Sequence, residues 1–569
     1  MNETTEIWHQ TYYLFGQGLA VSTLLAALPI FTLLFLLGVL RKAAWFAGSA
    51  GLVVALALAI IGYGMPVKAA VSAAAYGGAF GLLPISWIIF WAIALFRVTV
   101  ETGKFEIIRD SIGNLTPDPR LQALLVAFSF GAFLEGGAGF GTPVAVAATM
   151  LVGLGFSPFS ASAICLLANT APVAFGAIGI PVITLAGTTG LPLNKLSGAV
   201  ALMCSPAALI LPVYLIVAMG GFRAMSGIWL PALGAGVSFA VVQMLVSVFM
   251  GPQLSAILAA LSSMAVLIVI LRIRHRKATN AEISAEAAFA EIPRSDLNAI
   301  SSKHFPKSGN ATMTKVSSSH TINQILYAWV PYALLVFCVV LWGIAPIQRV
   351  LNKGSLVFAW PWLNNVVVRM PPVTSAPSPY HAVFSLSLFS AAGTACMVAT
   401  FLAAICLKVS LRRFGKLLLG VVRQLAIPIV TVSLVLGIGI LMNYCGATAT
   451  LGLAFASTGK LFPIFSPFLG LLGVFLTGSD TSSNALFGNL QVVTAAKLGL
   501  DPVLMAAANA AGGVMGKMIS VQTIAVAAAA TGLSVMDQSR LFRFTLKHSI
   551  ILGLLIGGLA LLYTYVLHI

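Results

Sequence analysis

The chain has 569 residues, of which 59% are hydrophobic and 8% charged, where an ordinary soluble domain is roughly one-quarter charged. Fourteen acids and 31 bases cannot solvate several soluble domains of this length, which excludes a water-soluble enzyme and a disordered or fibrous chain. The net charge of +17 does not imply nucleic acid, because most of the bases sit in short loops between apolar blocks of about 20 residues, the pattern of an all-α polytopic membrane protein.

Residues 1–18 are polar and lack a basic leader region. The first apolar block, 19–40, is followed by Arg41-Lys42 with no cleavage motif and reads as a retained span. Blocks at 45–64, 70–98, 159–187, 196–220, 228–250 and 253–272 complete a first transmembrane half, 19–272. Residues 273–324 are rich in Ser, Ala and charge, as expected of a flexible cytoplasmic linker. The second half, 325–569, carries blocks at 325–346, 383–407, 425–442, 501–531 and 549–567, with a Pro-rich outside loop at 347–380. That makes about 12 spans. With Arg41-Lys42 inside, the inside loops hold 22 Lys and Arg and the matching outside loops 4, so both termini are expected in the periplasm. Six cysteines form no CxxC pair and read as small buried hydrophobes.

Two stretches do not behave as ordinary spans. Residues 121–155 are broken in the middle by a Gly-rich run, and 463–498 by TGSDTSSN. Arms of about 13–17 residues rise roughly 20–25 Å, too short to cross comfortably, so each stretch is expected to be a re-entrant hairpin. The halves also match: Gly131-Ala-Phe-Leu-Glu-Gly136 with Gly473-Val-Phe-Leu-Thr-Gly478, Gly155-Phe-Ser-Pro158 with Gly499-Leu-Asp-Pro502, and Asn169-Thr-Ala-Pro172 with Asn509-Ala-Ala-Gly512. Loop charge gives the span before each hairpin opposite directions, so the repeat is expected to be inverted, as in secondary transporters.

Of fourteen acids, only Glu135 and Asp480 fall at the hairpin breaks. A carboxylate in hydrocarbon costs at least ~2.5–3.5 kcal/mol, which makes both candidates for proton coupling. The alternative is a carboxylate that merely caps helix ends. Lys517 is a base well inside an apolar block, placed to pair with Asp480, attract an anion, or snorkel to an interface. Neutral groups at the breaks are candidates for substrate binding: Gly137, Gly139, Thr142, Asn169, Thr170, Ser479, Thr481, Ser482, Ser483, Asn484, Asn509 and Gln522. Helix N-termini with hydroxyls suit a small carboxylate. All seven histidines are expected in loops or near span ends, which argues against a proton relay of histidines, a zinc site or a hydrolase. No Walker motif is present, so no cofactor is expected and an ion gradient must drive any transport.

The stretches FSFGAFLEGGAGFGTPVA, NTAPVAFGAIGIP, FSPFLGLLGVFLTGSDTSSNALFGNLQ and GKMISVQTIAVA resemble signatures of the bacterial L-lactate permease family, along nearly the whole chain. The resemblance implies an inner-membrane symporter of protons with L-lactate, D-lactate or glycolate. It does not say which acid carries the proton. Sodium-coupled carboxylate transport, an anion channel and an intramembrane enzyme are the competing readings. Oligomeric state is left open, with a homo-oligomer compatible with the sequence.

Overall fold

A computed structural model describes residues 7–16, 18–113, 115–139, 142–281 and 320–568. The first half contains α1 (Leu19–Ala26), α2 (Leu28–Gly38), α3 (Ala44–Ala57), α4 (Val67–Phe80), α5 (Ser86–Glu101) and α6 (Lys104–Gly113). It continues with α7 (Pro119–Gln122), α8 (Gly131–Gly137), α9 (Thr142–Gly153), α10 (Pro158–Ala168), α11 (Gly176–Thr189), α12 (Leu193–Gly220), α13 (Trp229–Phe249) and α14 (Ser255–Ala281). The second half has α15 (Ile322–Gly343), α16 (Ala345–Asn352), α17 (Ala392–Cys406), α18 (Leu411–Cys445), α19 (Ala447–Phe455) and α20 (Phe462–Thr477). It ends with α21 (Asp480–Leu498), α22 (Pro502–Lys517), α23 (Val521–Thr531) and α24 (Val535–Tyr565). Among the described residues, ten helices are long and apolar enough to cross a membrane, or up to twelve if two bent pairs each count as one. The protein is a helical, multi-pass membrane protein.

Several expected spans are reshaped. Block 19–40 bends by 45° between α1 and α2, and block 159–187 bends by 67° between α10 and α11. Block 501–531 is two helices, broken at Met518–Ser520. Block 383–407 is helical only over Ala392–Cys406, because Val383–Leu386 pairs as a strand. Helix α18 runs back through the basic stretch expected as a loop, since Ser410 caps it and the helix continues through Gly415 and Gly420 without a proline before Pro428. The expected linker is narrower than 273–324: α14 continues to Ala281 and α15 starts at Ile322 behind a Thr321–Gln324 capping box, while 282–319 lies outside the described residues. His548, expected near a span end, sits inside α24 against the Tyr214 hydroxyl.

The expected outside loop is ordered by two small sheets. Strand β1 (Trp8–His9) runs parallel to β3 (Val367–Arg369), which pairs antiparallel with β4 (Ser378–Pro379). Strands β2 (Leu356–Ala359) and β5 (Val383–Leu386) form the second. The N-terminal segment and this loop therefore lie on the same face of the helical body. Gln10 adds a cap there, its amide donating to the carbonyls of Asn443 (3.0 Å) and Tyr444 (2.8 Å) at the end of α18.

The matched motifs have a common local cause. Gly155 and Gly499 take left-handed φ of +96° and +69°, which a side chain would disfavour. Two residues later Ser157 and Asp501 cap the next helix, and Pro158 and Pro502 occupy its first position. In each half this joint separates a pair of packed, interrupted helices from a broken one. The first pair comprises α7, a π-helical run Ala123–Phe130 and α8, packed against α9 across a break after Gly137. The second is α20 against α21 across Gly478-Ser479. The halves also interlock, α9 packing on α23 and α11 on α21. Backbones touch where α20 meets α22: a Cβ on Gly512 would stand 1.9 Å from the Pro467 oxygen, and one on Gly516 2.3 Å from that of Leu471. This is the small-residue spacing that lets membrane helices approach closely.

Candidate functional site

The two breaks and the two broken helices converge on one cavity of about 310 Å³. The first pair contributes Glu135, in the last turn of α8, and Gly139. The following broken helix contributes Val173, Gly176, Ala177 and Pro181. The second pair offers its whole tip, Thr477 to Ser482, and the second broken helix Lys517, Gln522, Thr523 and Val526. Ala44 and one side of α18 (Ile427, Pro428, Thr431, Val432) close the far wall, which is mostly apolar.

Each tip is held by the broken helix of its own half. Gly139 lies so near Ala177 that a Cβ there would be 2.8 Å from the alanine methyl, and Gly176 leaves only 3.0 Å between such a Cβ and Glu135 Oε1. On the other side Lys517 Nζ donates to the Gly478 carbonyl at 2.9 Å, a cation at the negative end of α20. Gly478 has φ +72°, and an added Cβ would collide with Gln522 Oε1 at 2.5 Å. Ala177, Ile178 and Gly179 are all left-handed, with φ of 46°, 61° and 77°. For alanine and isoleucine this is strain, held in place by packing and located at the cavity wall.

Polar termini face inward. Ser479 caps α21 by accepting from Ser482 N (3.3 Å), and Ser520 caps α23 by accepting from Thr523 N (3.2 Å). Both N-termini line the cavity through Thr481, Ser482, Gln522 and Thr523, so two positive helix ends point at one space. Glu135 and Asp480 are each 3% exposed and Lys517 7%. Glu135 Oε2 and Asp480 Oδ1 have no hydrogen-bond partner in the protein, and the Asn169 side chain lies beside Glu135. Among the described residues no ion pair within 4.0 Å joins Lys517 to either acid, although its charge acts on both. Buried and bonded to a carbonyl, Lys517 neither snorkels nor pairs directly with Asp480. Among the described residues no three His, Cys, Asp or Glu side chains gather as a metal site.

A model of the L-lactate permease family matches residues 22–567. The chain belongs to the L-lactate permease family. It is 44% identical over 563 residues to the L-lactate permease of Bacillus subtilis, covering 96% of this chain and 97% of that one. It is 42% identical to the L-lactate permease of Escherichia coli K12, covering 99% of both, and 42% identical to the glycolate permease GlcA of the same strain, covering 98% of both. Membership of a permease family marks the chain as a membrane transporter.

On this permease framework the expected binding residues divide. Gly139, Ser479, Thr481, Ser482, Lys517 and Gln522 line the cavity with Glu135 and Asp480. Gly137 faces a separate small void with Phe133 and Tyr332. Thr170 donates back to the Leu167 carbonyl and Ser483 to that of Gly470, so both serve the backbone. Asn169 is buried beside Glu135 but is not part of the cavity wall. Thr142 begins α9, and its side chain lies outside the described residues. Asn509 is not at a break: it sits within α22, about one turn before the position that matches Asn169, and bonds Asn484. Sequence reasoning missed the α18 wall. Pro428 and Thr431 inside an apolar run were its available signal.

Proposed function

We propose that this protein imports L-lactate, and the related 2-hydroxy-monocarboxylates D-lactate and glycolate, by proton symport across the bacterial inner membrane, with both termini in the periplasm. The observation that carries the reading is a buried trio of two carboxyls and one lysine around a cavity into which two helix N-termini point. The names of the relatives support the substrate class.

The chemistry follows from charge. With both carboxyls ionised the trio is net negative and repels an organic anion. One proton on either carboxyl cancels that excess, so a bound proton and a bound anion each favour the other's binding, as linkage requires. The substrate carboxylate sits at the N-termini of α21 and α23 beside Lys517, where dipoles and a cation both favour it. Hydroxyls of Thr481, Ser482 and Thr523 meet the substrate hydroxyl, and the apolar α18 wall meets its methyl group. Glu135 carries the proton on Oε2, which has no partner, while Asp480 Oδ2 already accepts from the Asn484 amide. The two interrupted pairs act as re-entrant hairpins, one from each face, in an inverted repeat.

The test is uptake of labelled L-lactate into sodium-free proteoliposomes under an imposed pH gradient, alongside counterflow without one. Glu135→Gln is expected to abolish pH-driven uptake while counterflow remains measurable. Unchanged proton-driven uptake in that variant removes Glu135 from the role. Wild-type transport that requires sodium overturns the coupling.

A further inference from the structure

Behind Asp480 a row of side-chain amides leads away from the cavity. Gln491 Nε2 donates to Asn509 Oδ1 at 3.0 Å, Asn509 Nδ2 to Asn484 Oδ1 at 3.0 Å, and Asn484 Nδ2 to Asp480 Oδ2 at 3.5 Å. All three amide residues are fully buried. Asn509 and Asn484 each present their oxygen to the amide behind and their nitrogen to the group in front, and Gln491 heads the row as a donor, so fixing one orientation fixes the rest. The row is anchored to other elements: Gln491 also donates to the Ser466 carbonyl (3.3 Å) and Asn484 to that of Pro181 (3.2 Å), which belongs to the other half. Its last member presents only a donor to Asp480. An oxygen that accepts there cannot hold a proton directed at the same nitrogen, so the row keeps Oδ2 an acceptor and leaves Oδ1, packed against Gly513, as the place for any proton.

We infer that Asn509, which does not line the cavity and bonds only the amides on either side of it, is a positioning residue for transport: through Asn484 it fixes the rotamer and the hydrogen-bonding state of Asp480 beside the anion site. This inference rests on the function proposed above. It divides the labour between the acids: the polarised row holds Asp480, and Glu135, outside that row, carries the proton. The ionisable groups facing Asp480 are Lys517, Cys204 on α12 and, across the cavity, Glu135. None of them touches the amide row.

Asn509→Asp is the decisive variant, because it is isosteric and its hydrogen-bonding capacity depends on pH. Protonated, the new carboxyl accepts from Gln491 and donates to Asn484, reproducing the row. Ionised, it sets two acceptors against each other at Asn484 Oδ1. In counterflow of labelled L-lactate with equal pH on both sides, Asn509→Asp is expected to hold a near-wild-type KM at acidic pH and to show a KM raised about tenfold at alkaline pH, the worth of one hydrogen bond to a charged group. Asn509→Ala is expected to show the raised KM at every pH. An Asn509→Asp profile parallel to wild type, or variants that change only the amount of active protein and not KM, would overturn the positioning role. If Asn509→Ala is not recovered from membranes, Asn509→Asp alone decides. Absence of L-lactate counterflow in the wild type would instead refute the proposed function, so the two failures are distinguishable.

Discussion

At the scale of single residues, the site depends on a few buried charges whose neighbours are mostly neutral. Lys517 is the positive member, and its removal tests whether it attracts substrate or only holds the hairpin tip. Lys517→Met is expected to raise the KM for L-lactate counterflow about tenfold to a hundredfold, the range for losing a charge-assisted contact. If only the thermal midpoint moves, its bond to Gly478 is its whole role. The acids and this lysine were legible in the sequence, because an ionisable group at membrane depth is costly enough to be conspicuous. The hydroxyls and amides were not separable in the same way. Ser483 and Asn484 are adjacent on α21, and neither lines the cavity: Ser483 bonds back to α20, while Asn484 joins the row behind Asp480. Which way a polar helical residue faces is set by its tertiary partners, and spacing alone does not reveal them.

At the scale of elements, the breaks could be found from glycine and hydroxyl runs, but their register could not. Gly131–Gly136 and Gly473–Gly478 match as text, yet α20 ends at Thr477, whereas α8 continues through Gly137 and the left-handed glycine comes at 139. The text match sets Glu135 against Thr477 and the left-handed glycines set it against Val474, so in neither register does it correspond to Asp480, and the two acids reach one cavity from unequal positions. The long block at 501–531 hid its break because Met518-Ile519-Ser520 contains neither glycine nor proline; the Ser520 cap is the signal. The seam between α20 and α22 gives a stability prediction. Gly512→Ala places a methyl where only 1.9 Å is available to a backbone oxygen, and is expected to cost about 3 kcal/mol, read as a lower thermal midpoint in detergent. Gly558→Ala, with nothing within 4 Å of the new atom, is the control and should not lower the midpoint, and can raise it slightly because alanine is the better helix former.

At the scale of the whole molecule, the number of apolar blocks anticipated a polytopic helical protein, but the ordered sheets over 356–386 were beyond a hydropathy reading, because their strands are two to four residues long. Pairing of Trp8 with Val367 and of His9 with Val368 gives a direct test of orientation. In a background with the exposed Cys406 replaced by serine, His9→Cys and Lys353→Cys should both react with a membrane-impermeant maleimide in intact spheroplasts, and Ser410→Cys only after lysis. Labelling of Ser410→Cys in intact cells would reverse the assigned sidedness. The Gln10 contact with the last carbonyls of α18 also bears on how the protein is handled. Trimming the chain back to its first apolar block, a common step before crystallisation, would strip the cap from the helix whose middle walls the cavity, so a defect in such a shortened protein would be an artefact of preparation and not a property of the transporter.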